Sequence, residues 1–341
     1  MRKWQIFLLA AGLGLGCQQR PVSVGSEKEI VVCADSLDFQ ALRPALQEVF
    51  EREVPTPVPE KIFELKWAPV AELARHTHKP RLLLLACWQH ENDATRQVAK
   101  LLDATQRRQA QQGENYLFKS DDPWRRRQRL LILSARTREE LQQRLTANGA
   151  ELFDSFELPL RAQIEQQLYN VREQQELAQR LEREYGWSLR IPHDYFIFKE
   201  LPAERFVMLR RTSPERWLFV AWREAASAAL PTPAEVIAWR DEIGEKYYEG
   251  DRVSALELSA SPAAFAGRQA LEVRGLWENQ AKVAGGPFHC WAFYEPTHRA
   301  VFLVDVAVFA PGMDKVPHLR RLEIVAQTFH TKTVATAPAP P

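Results

Sequence analysis

Apolar positions along this chain follow two rhythms: short unbroken runs between helical spacings in the first half, alternation in the second. Residues 29–33 and 82–87 hold the apolar runs IVVC and LLLLAC, the mark of buried strands. Residues 63–67 and 129–133 read as further strands. Leu42, Leu46, Val49 and Phe50 recur at helical spacing behind Asp35 or Ser36, either of which can cap a helix. The spacing predicts a helical turn over 70–75, a charged helix over 91–107 and a helix over 139–145 that closes at Gly149. Residues 55–59 predict a loop and 116–124 a polar link. Strands alternating with helices predict a mixed α/β lobe over 29–150.

The longest pattern follows. Leu160, Ile164, Leu168, Val171, Ala178, Leu181 and Tyr185 form one stripe, with Pro159 suited to a first turn and Gly186 to the position past the end. This predicts one connecting helix over 151–186, whose stretch from Pro159 to Gly186 is about 40 Å long. The stripe could be a dimer seam or a face packed on its own sheet. It lasts under four heptads and Gln175 interrupts it, which favours packing and a monomer. After Gly186 the period becomes two. Residues 187–198 alternate, 206–210 and 217–222 predict a hairpin, and 288–294 with 301–309 predict another. Residues 271–277 start a strand, and 256–267 are expected to be a loop. Thr232 caps a helix over 233–248, and Pro317 opens a last one. The second lobe, 187–330, is therefore expected to be an antiparallel sheet with helices on one face. The fold class is α+β: two lobes joined by one long helix. Residues 331–341 predict a disordered tail.

The first seventeen residues change where this body is expected to work. Arg2 and Lys3 precede an apolar run over 4–15, then Gly16 and Cys17. A basic start, a short apolar run and small residues before a cut site make a secretory signal. The run is shorter than the roughly 20 residues a spanning helix needs. A cysteine directly after a small residue resembles a bacterial lipobox, which implies lipid attachment to Cys17, palmitate included. The place three residues before it, where that pattern wants a branched apolar residue, is Gly14. An ordinary secretory signal would instead leave Cys17 a free thiol. Residues 18–28 read as a flexible leash of roughly 35 Å. The expectation is a soluble body, lipid-anchored in a bacterial cell envelope, at the outer membrane rather than the inner.

With 45% hydrophobic residues the chain can bury a substantial core, which excludes global disorder. The formal charge is +1, and about −1 once Arg2 and Lys3 leave with the signal, so no net charge draws it to nucleic acid. Cys33 and Cys87 end two apolar runs. They are either a bridge between neighbouring strands or two buried thiols.

Candidate chemistry is sparse. His76 and His78 flank Thr77 without a third metal ligand nearby. No GxSxG, HExxH, phosphate loop or CxxC occurs, and no cofactor is expected. Asp194 and Asp305 interrupt apolar strands and are candidates for a raised-pKa general acid or for structural carboxylates. Trp187, Trp217, Trp222, Trp239, Trp277 and Trp291 all fall in the second lobe, as core or as a groove for a peptide or glycan.

The segments YGWSLRIPHDY at 185–195, WRDEIGEKYYEGD at 239–251, GLWE at 275–278, GGPF at 285–288 and HLRRLEIVAQTF at 318–329 occur together and in order. They resemble the bacterial domain-of-unknown-function family numbered 4837, a family of envelope lipoproteins. The resemblance extends over nearly all of the mature chain and is most specific from Gly186 onward. It implies no reaction and no catalytic residues. Gly275, Gly285 and Gly286 are expected at tight turns and strand ends. The functional expectation is an anchored binding or scaffolding protein for an envelope protein, peptide or glycan. The alternative is an envelope hydrolase using a carboxylate of the second lobe.

Overall fold

The structure is a computed structural model that describes residues 20–225 and 227–332. The signal segment 1–17 with its lipid-attachment residue Cys17, leash residues 18–19 and tail residues 333–341 lie outside the described residues.

In the first lobe β1 (Glu29–Ala34) leads into α1 (Ser36–Phe50), whose first turn is capped by the Asp35 carboxylate, which accepts from the Leu37 amide at 2.9 Å. A ribbon of β2 (Glu53–Val54) and β3 (Glu60–Lys61) precedes β4 (Glu64–Pro69) and α2 (Leu73–His76). Then come β5 (Arg81–Cys87), α3 (Asp93–Leu101), α4 (Ala104–Gln112), β6 (Leu117–Asp121), β7 (Arg129–Ala135) and α5 (Arg138–Ala147). The sheet order is β4-β1-β5-β7-β6, parallel except for β6. Leu42, Leu46 and Phe50 of α1 pack with Val32, Leu83 and Leu131 on one face. Val98 and Ala110 pack with Val31, Leu84 and Ile132 on the other. Burial on both faces is why these strands read as unbroken apolar runs.

Differences from the expectation fall at edges and breaks. The charged helix over 91–107 is two, because Asp103 and Gln106 form a reciprocal capping box that starts α4. The polar link at 116–124 contains β6, an edge strand whose Lys119, Ser120 and Asp121 are exposed, so no apolar period marks it. The leash is not free from residue 20 onward. Val22 bridges Arg126, and the Val24 amide donates to the His78 carbonyl at 2.8 Å, so the chain lies along the lobe.

The connecting helix is α6 (Gly149–Tyr169) and α7 (Gln175–Tyr185), not one element. Pro159 lies inside α6, and Gly149 opens that helix rather than closing the one before. The stripe serves two cores: Leu160 and Ile164 join the first lobe's, Leu181 the second's, while Val171 at the break is exposed. Gln174 occupies the step; its side-chain amide donates to the carbonyls of Pro192 at 2.7 Å and Tyr195 at 2.6 Å. Gly186 ends α7 in the left-handed region, as its position predicts.

The second lobe contains β8 (Trp187–Ser188), β9 (Phe196–Leu201), β10 (Phe206–Arg211), β11 (Glu215–Glu224), α8 (Pro233–Tyr247), β12 (Arg252–Val253), β13 (Ser259–Phe265), β14 (Arg268–Asn279), β15 (Ala284–Glu295), β16 (Ala300–Phe309), α9 (Val316–Ala326) and β17 (His330–Thr331). The large sheet runs β12-β14-β15-β16-β11-β10-β9 with β13 also on β14, antiparallel throughout. The alternating run 187–198 supplies only β8 and the start of β9; Leu189, Ile191 and Tyr195 are buried from a loop. The expected loop at 256–267 holds β13, exposed along most of its length. Thr331 pairs with Trp187, so residue 331, expected to start the tail, belongs to a strand. Helices cover both sheet faces rather than one: α9 and α7 with Trp187 and Trp291, α8 with Trp239 and Trp277. Gly285 and Gly286 lie at the start of β15, a strand end as expected, while Gly275 lies within β14 rather than at a turn. A Cβ on Gly286 would stand 2.0 Å from the Val308 carbonyl oxygen, so a close strand approach demands that glycine.

The cysteines resolve as thiols. Cys33 sits opposite Leu84, three positions from Cys87, and Cys33, Cys87 and Cys290 are all free and buried. Burial pushes the Cys33 and Cys87 thiols up to about 12. Iodoacetamide at pH 8 should therefore leave all three unmodified in the native protein and modify all three in denaturant without reductant. Two missing modifications after denaturation would mean a bridge.

Candidate binding cleft

Helix α8 is the element around which the second lobe's outer sheet face is organised. Thr232 and Glu235 start it with a capping box. Arg240, on its sheet-facing side, reaches Asp305 of β16: Nε donates to Oδ2 at 2.8 Å, and the guanidinium lies 3.7 Å from the Phe288 ring centre. Both residues are buried, and burial pushes the Asp305 carboxyl up to about 6 against the pull of Arg240. Asp305 is thus one half of a covered ion pair. Asp194 lies elsewhere, 2.5 Å from Arg211 Nε and partly open to solvent. The two aspartates share no partner.

Beside the end of α8 a cleft of about 300 Å³ opens against β9, β10, β11 and β14, walled by Phe198, Trp217, Tyr247, Tyr248 and Trp277. Trp217 stands edge-on to Trp277 at 5.7 Å and to Tyr248 at 5.9 Å. The rim carries both signs of charge: Arg210 donates to Glu215 at 2.6 Å and Lys282 pairs with Glu249. A recess of about 10 Å³ continues inward between Trp217, Tyr248, Trp277 and Arg240. Trp277 Nε1 and Tyr248 Oη are buried here without a hydrogen-bond partner among the described residues. Such unmet buried groups cost roughly 1–3 kcal/mol each.

The tryptophans do not form one groove. Trp187 and Trp291 are in the core on the far side, with Trp222 packed against them. Trp217, Trp239 and Trp277 are on the α8 side, and of these Trp217 and Trp277 line the cleft. His76 ends α2 and His78 follows it. No cluster of three metal-ligating side chains occurs among the described residues. No described helix is long and apolar enough to cross a membrane.

Residues 174–328 match the family profile of a domain of unknown function, DUF4837. The carboxy-terminal part of the chain therefore carries the match to DUF4837. The resemblance is narrower than the motifs suggested, because residues 23–169 match a different domain of unknown function, DUF8532. No curated protein matches significantly. Solved structures resemble parts of the chain at TM-scores of 0.29. One from Bacteroides thetaiotaomicron VPI-5482 is 14% identical, over 44% of this chain and 47% of that one. LpqN, described as involved in cell envelope biogenesis of Mycobacterium tuberculosis, is 14% identical over 42% and 81%. The Saccharomyces cerevisiae Ran-binding protein Mog1p is 11% identical over 43% and 90%. The match thus spans under half of the Bacteroides chain, and these scores carry no functional argument.

The DUF4837 half meets the DUF8532 half across a second cleft, of about 210 Å³, that the sequence reading missed. His289 of β15 is nearly inaccessible, and each ring nitrogen meets a carboxylate: Nε2 to Glu272 at 2.8 Å, Nδ1 to Glu323 at 2.9 Å. Arg161 of α6 holds the other oxygen of Glu323 at 2.9 Å. Arg320 of α9 donates twice to Glu157, at 3.0 Å each, and Glu60 accepts the Lys315 and Val316 amides at the start of α9. Burial alone would raise Glu272 and Glu323. The hydrogen bonds and charge of His289 outweigh it, holding Glu272 down to about 2 and Glu323 well below the usual carboxylate range. The visible signals were the spacings Glu157–Arg161 and Arg320–Glu323 on two helices; nothing in them names the partner strand.

Proposed function

We propose that the chain is a lipid-anchored binding protein of the bacterial cell envelope, tethered at Cys17, whose DUF4837 domain takes part of an envelope protein, peptide or glycan into the α8 cleft. The supporting observation is that Trp277 and Tyr248, which line this aromatic cleft with its charged rim, each carry a buried polar atom, Nε1 and Oη, without a hydrogen-bond partner among the described residues. A ligand oxygen that met either hydrogen would gain what folding leaves unsatisfied, with rings around it to bury an apolar body. The anchor rests on the basic start, the apolar run and Gly16-Cys17. The carboxylates that suggested hydrolysis are each held by an arginine, so binding accounts for more of the site than acid catalysis does.

Titrating the protein with soluble muropeptides and envelope-protein digests should change tryptophan emission. Trp217→Ala should lower the affinity at least tenfold with the fold intact by circular dichroism. Emission that no fraction alters, or a variant that binds as the parent does, rejects the cleft. Labelling cells with radioactive fatty acid should mark the parent and not Cys17→Ser; label retained by the variant rejects the anchor.

A further inference from the structure

The anchoring just proposed gives a role to a surface to which neither family match assigns one. The loop between β6 and β7 reads DPWRRRQ over 122–128. Arg126 and Arg127 are exposed, and Trp124 and Arg125 are half-buried beside them. The first described residues of the chain are fastened to this loop. Arg20 Nη1 donates to the carbonyls of Asp122 at 2.5 Å and Pro123 at 3.2 Å. The Arg126 amide donates to the Pro21 carbonyl at 3.0 Å, and its Nε to the Arg20 carbonyl at 2.8 Å. Ser23 Oγ donates to the Arg127 carbonyl at 2.8 Å.

The loop is rigidly built. Gln128 is buried; its Oε1 accepts the amides of Trp124 and Arg125 at 3.2 Å each, and its Nε2 donates to the carbonyls of Thr77 and Lys79 at 2.9 and 2.6 Å. Asp121 is neutralised by Arg129 at 2.7 Å. Arg20, Arg125, Arg126 and Arg127 have no ion-pair partner among the described residues, and the one carboxylate left in the loop is Asp122.

We propose that this arginine loop docks on the anionic phospholipid surface to which Cys17 is tethered. The inference rests on the lipid-anchor reading and adds a second attachment to it. Position supplies the argument. Only Gln18 and Gln19 separate Cys17 from Arg20, and the three residue-to-residue steps, at about 3.6 Å each, span about 11 Å at most. The acyl chains therefore hold Arg20, and with it the loop it is fastened to, close to one Debye length, about 8 Å at physiological salt, from the headgroups. Each basic side chain that near an anionic bilayer strengthens attachment about fivefold. A lipid chain plus a basic patch is the pairing that turns marginal membrane attachment into stable attachment. Trp124 adds a ring suited to the headgroup level.

The test is hydrogen exchange on the purified acylated protein in two kinds of vesicle, pure phosphatidylcholine and phosphatidylcholine with 40% phosphatidylglycerol. Peptides covering 122–128 should exchange at least tenfold more slowly on the anionic vesicles, and 0.5 M salt should abolish the difference. Arg125→Gln/Arg127→Gln should remove the protection while the protein stays vesicle-bound; neither side chain holds the loop together, so its melting temperature should match the parent's. Equal exchange on both vesicles by an acylated, vesicle-bound protein overturns the docking alone. Protection that survives 0.5 M salt or the double substitution also overturns it. A chain whose N-terminal fragment carries no acyl mass overturns the anchor, and the docking with it.

Discussion

Arg240→Met should destabilise the protein by about 3–5 kcal/mol, the usual cost of removing one partner from a covered ion pair. Asp305 would remain inside with its charge and no counter-ion, 2.8 Å from where the guanidinium nitrogen had been. The parent's own pH profile should show the strain of keeping that carboxylate charged. The folded-state value, about 6, lies above the ordinary 3.8, so its contribution is complete below about pH 4 and is lost as pH rises through about 6. Arg240→Met/Asp305→Leu should recover most of the loss and flatten that part of the profile. Urea melts from pH 4 to 8 measure both effects. A single variant within about 1 kcal/mol of the parent would mean the pair is not buried as described.

Acid should unfold the protein through the opposite kind of group. Glu272 has a folded value of about 2 against an ordinary 4.5, so its contribution is complete above about pH 4.5 and is lost as pH falls through about 2. With solvent screening of this partly open carboxylate, the contribution lost across that range is roughly 1–3 kcal/mol. Glu323, held well below the usual carboxylate range by His289 and Arg161, acts in the same direction. Stability should therefore fall steeply between about pH 5 and pH 2. Glu272→Gln should start lower at pH 7 and lose less across that range. Parallel acid titrations of variant and parent would remove His289 from this role.

The strands that the sequence predicted well are those whose burial matches their period. β1, β5 and β7 are covered on both faces and show unbroken runs, while β15 and β16 form the hairpin expected of them. β6 and β13 escaped notice because they are edges with exposed side chains, where solvent imposes no pattern. The break at Asn170 was hidden because one stripe feeds two cores, and a stripe does not say which core it serves. At the cleft, Trp217 and Trp277 were among the aromatic candidates, but the unmet donor on Trp277 depends on strand register. The His289 network was illegible for a different reason. Its members come from β14, β15, α6 and α9, and pairings between distant positions leave no local period.

Helix α9 bears on whether such a chain can be divided. Leu322 and Val325 fill the core of one half, Ile324 fills the core of the other, and Glu60 from the far half seats its first turn. A gene cut between the halves would leave the amino-terminal piece without Ile324 in its core and the carboxy-terminal piece with that side chain bared. Either half expressed alone should therefore be less stable than the two joined in one chain.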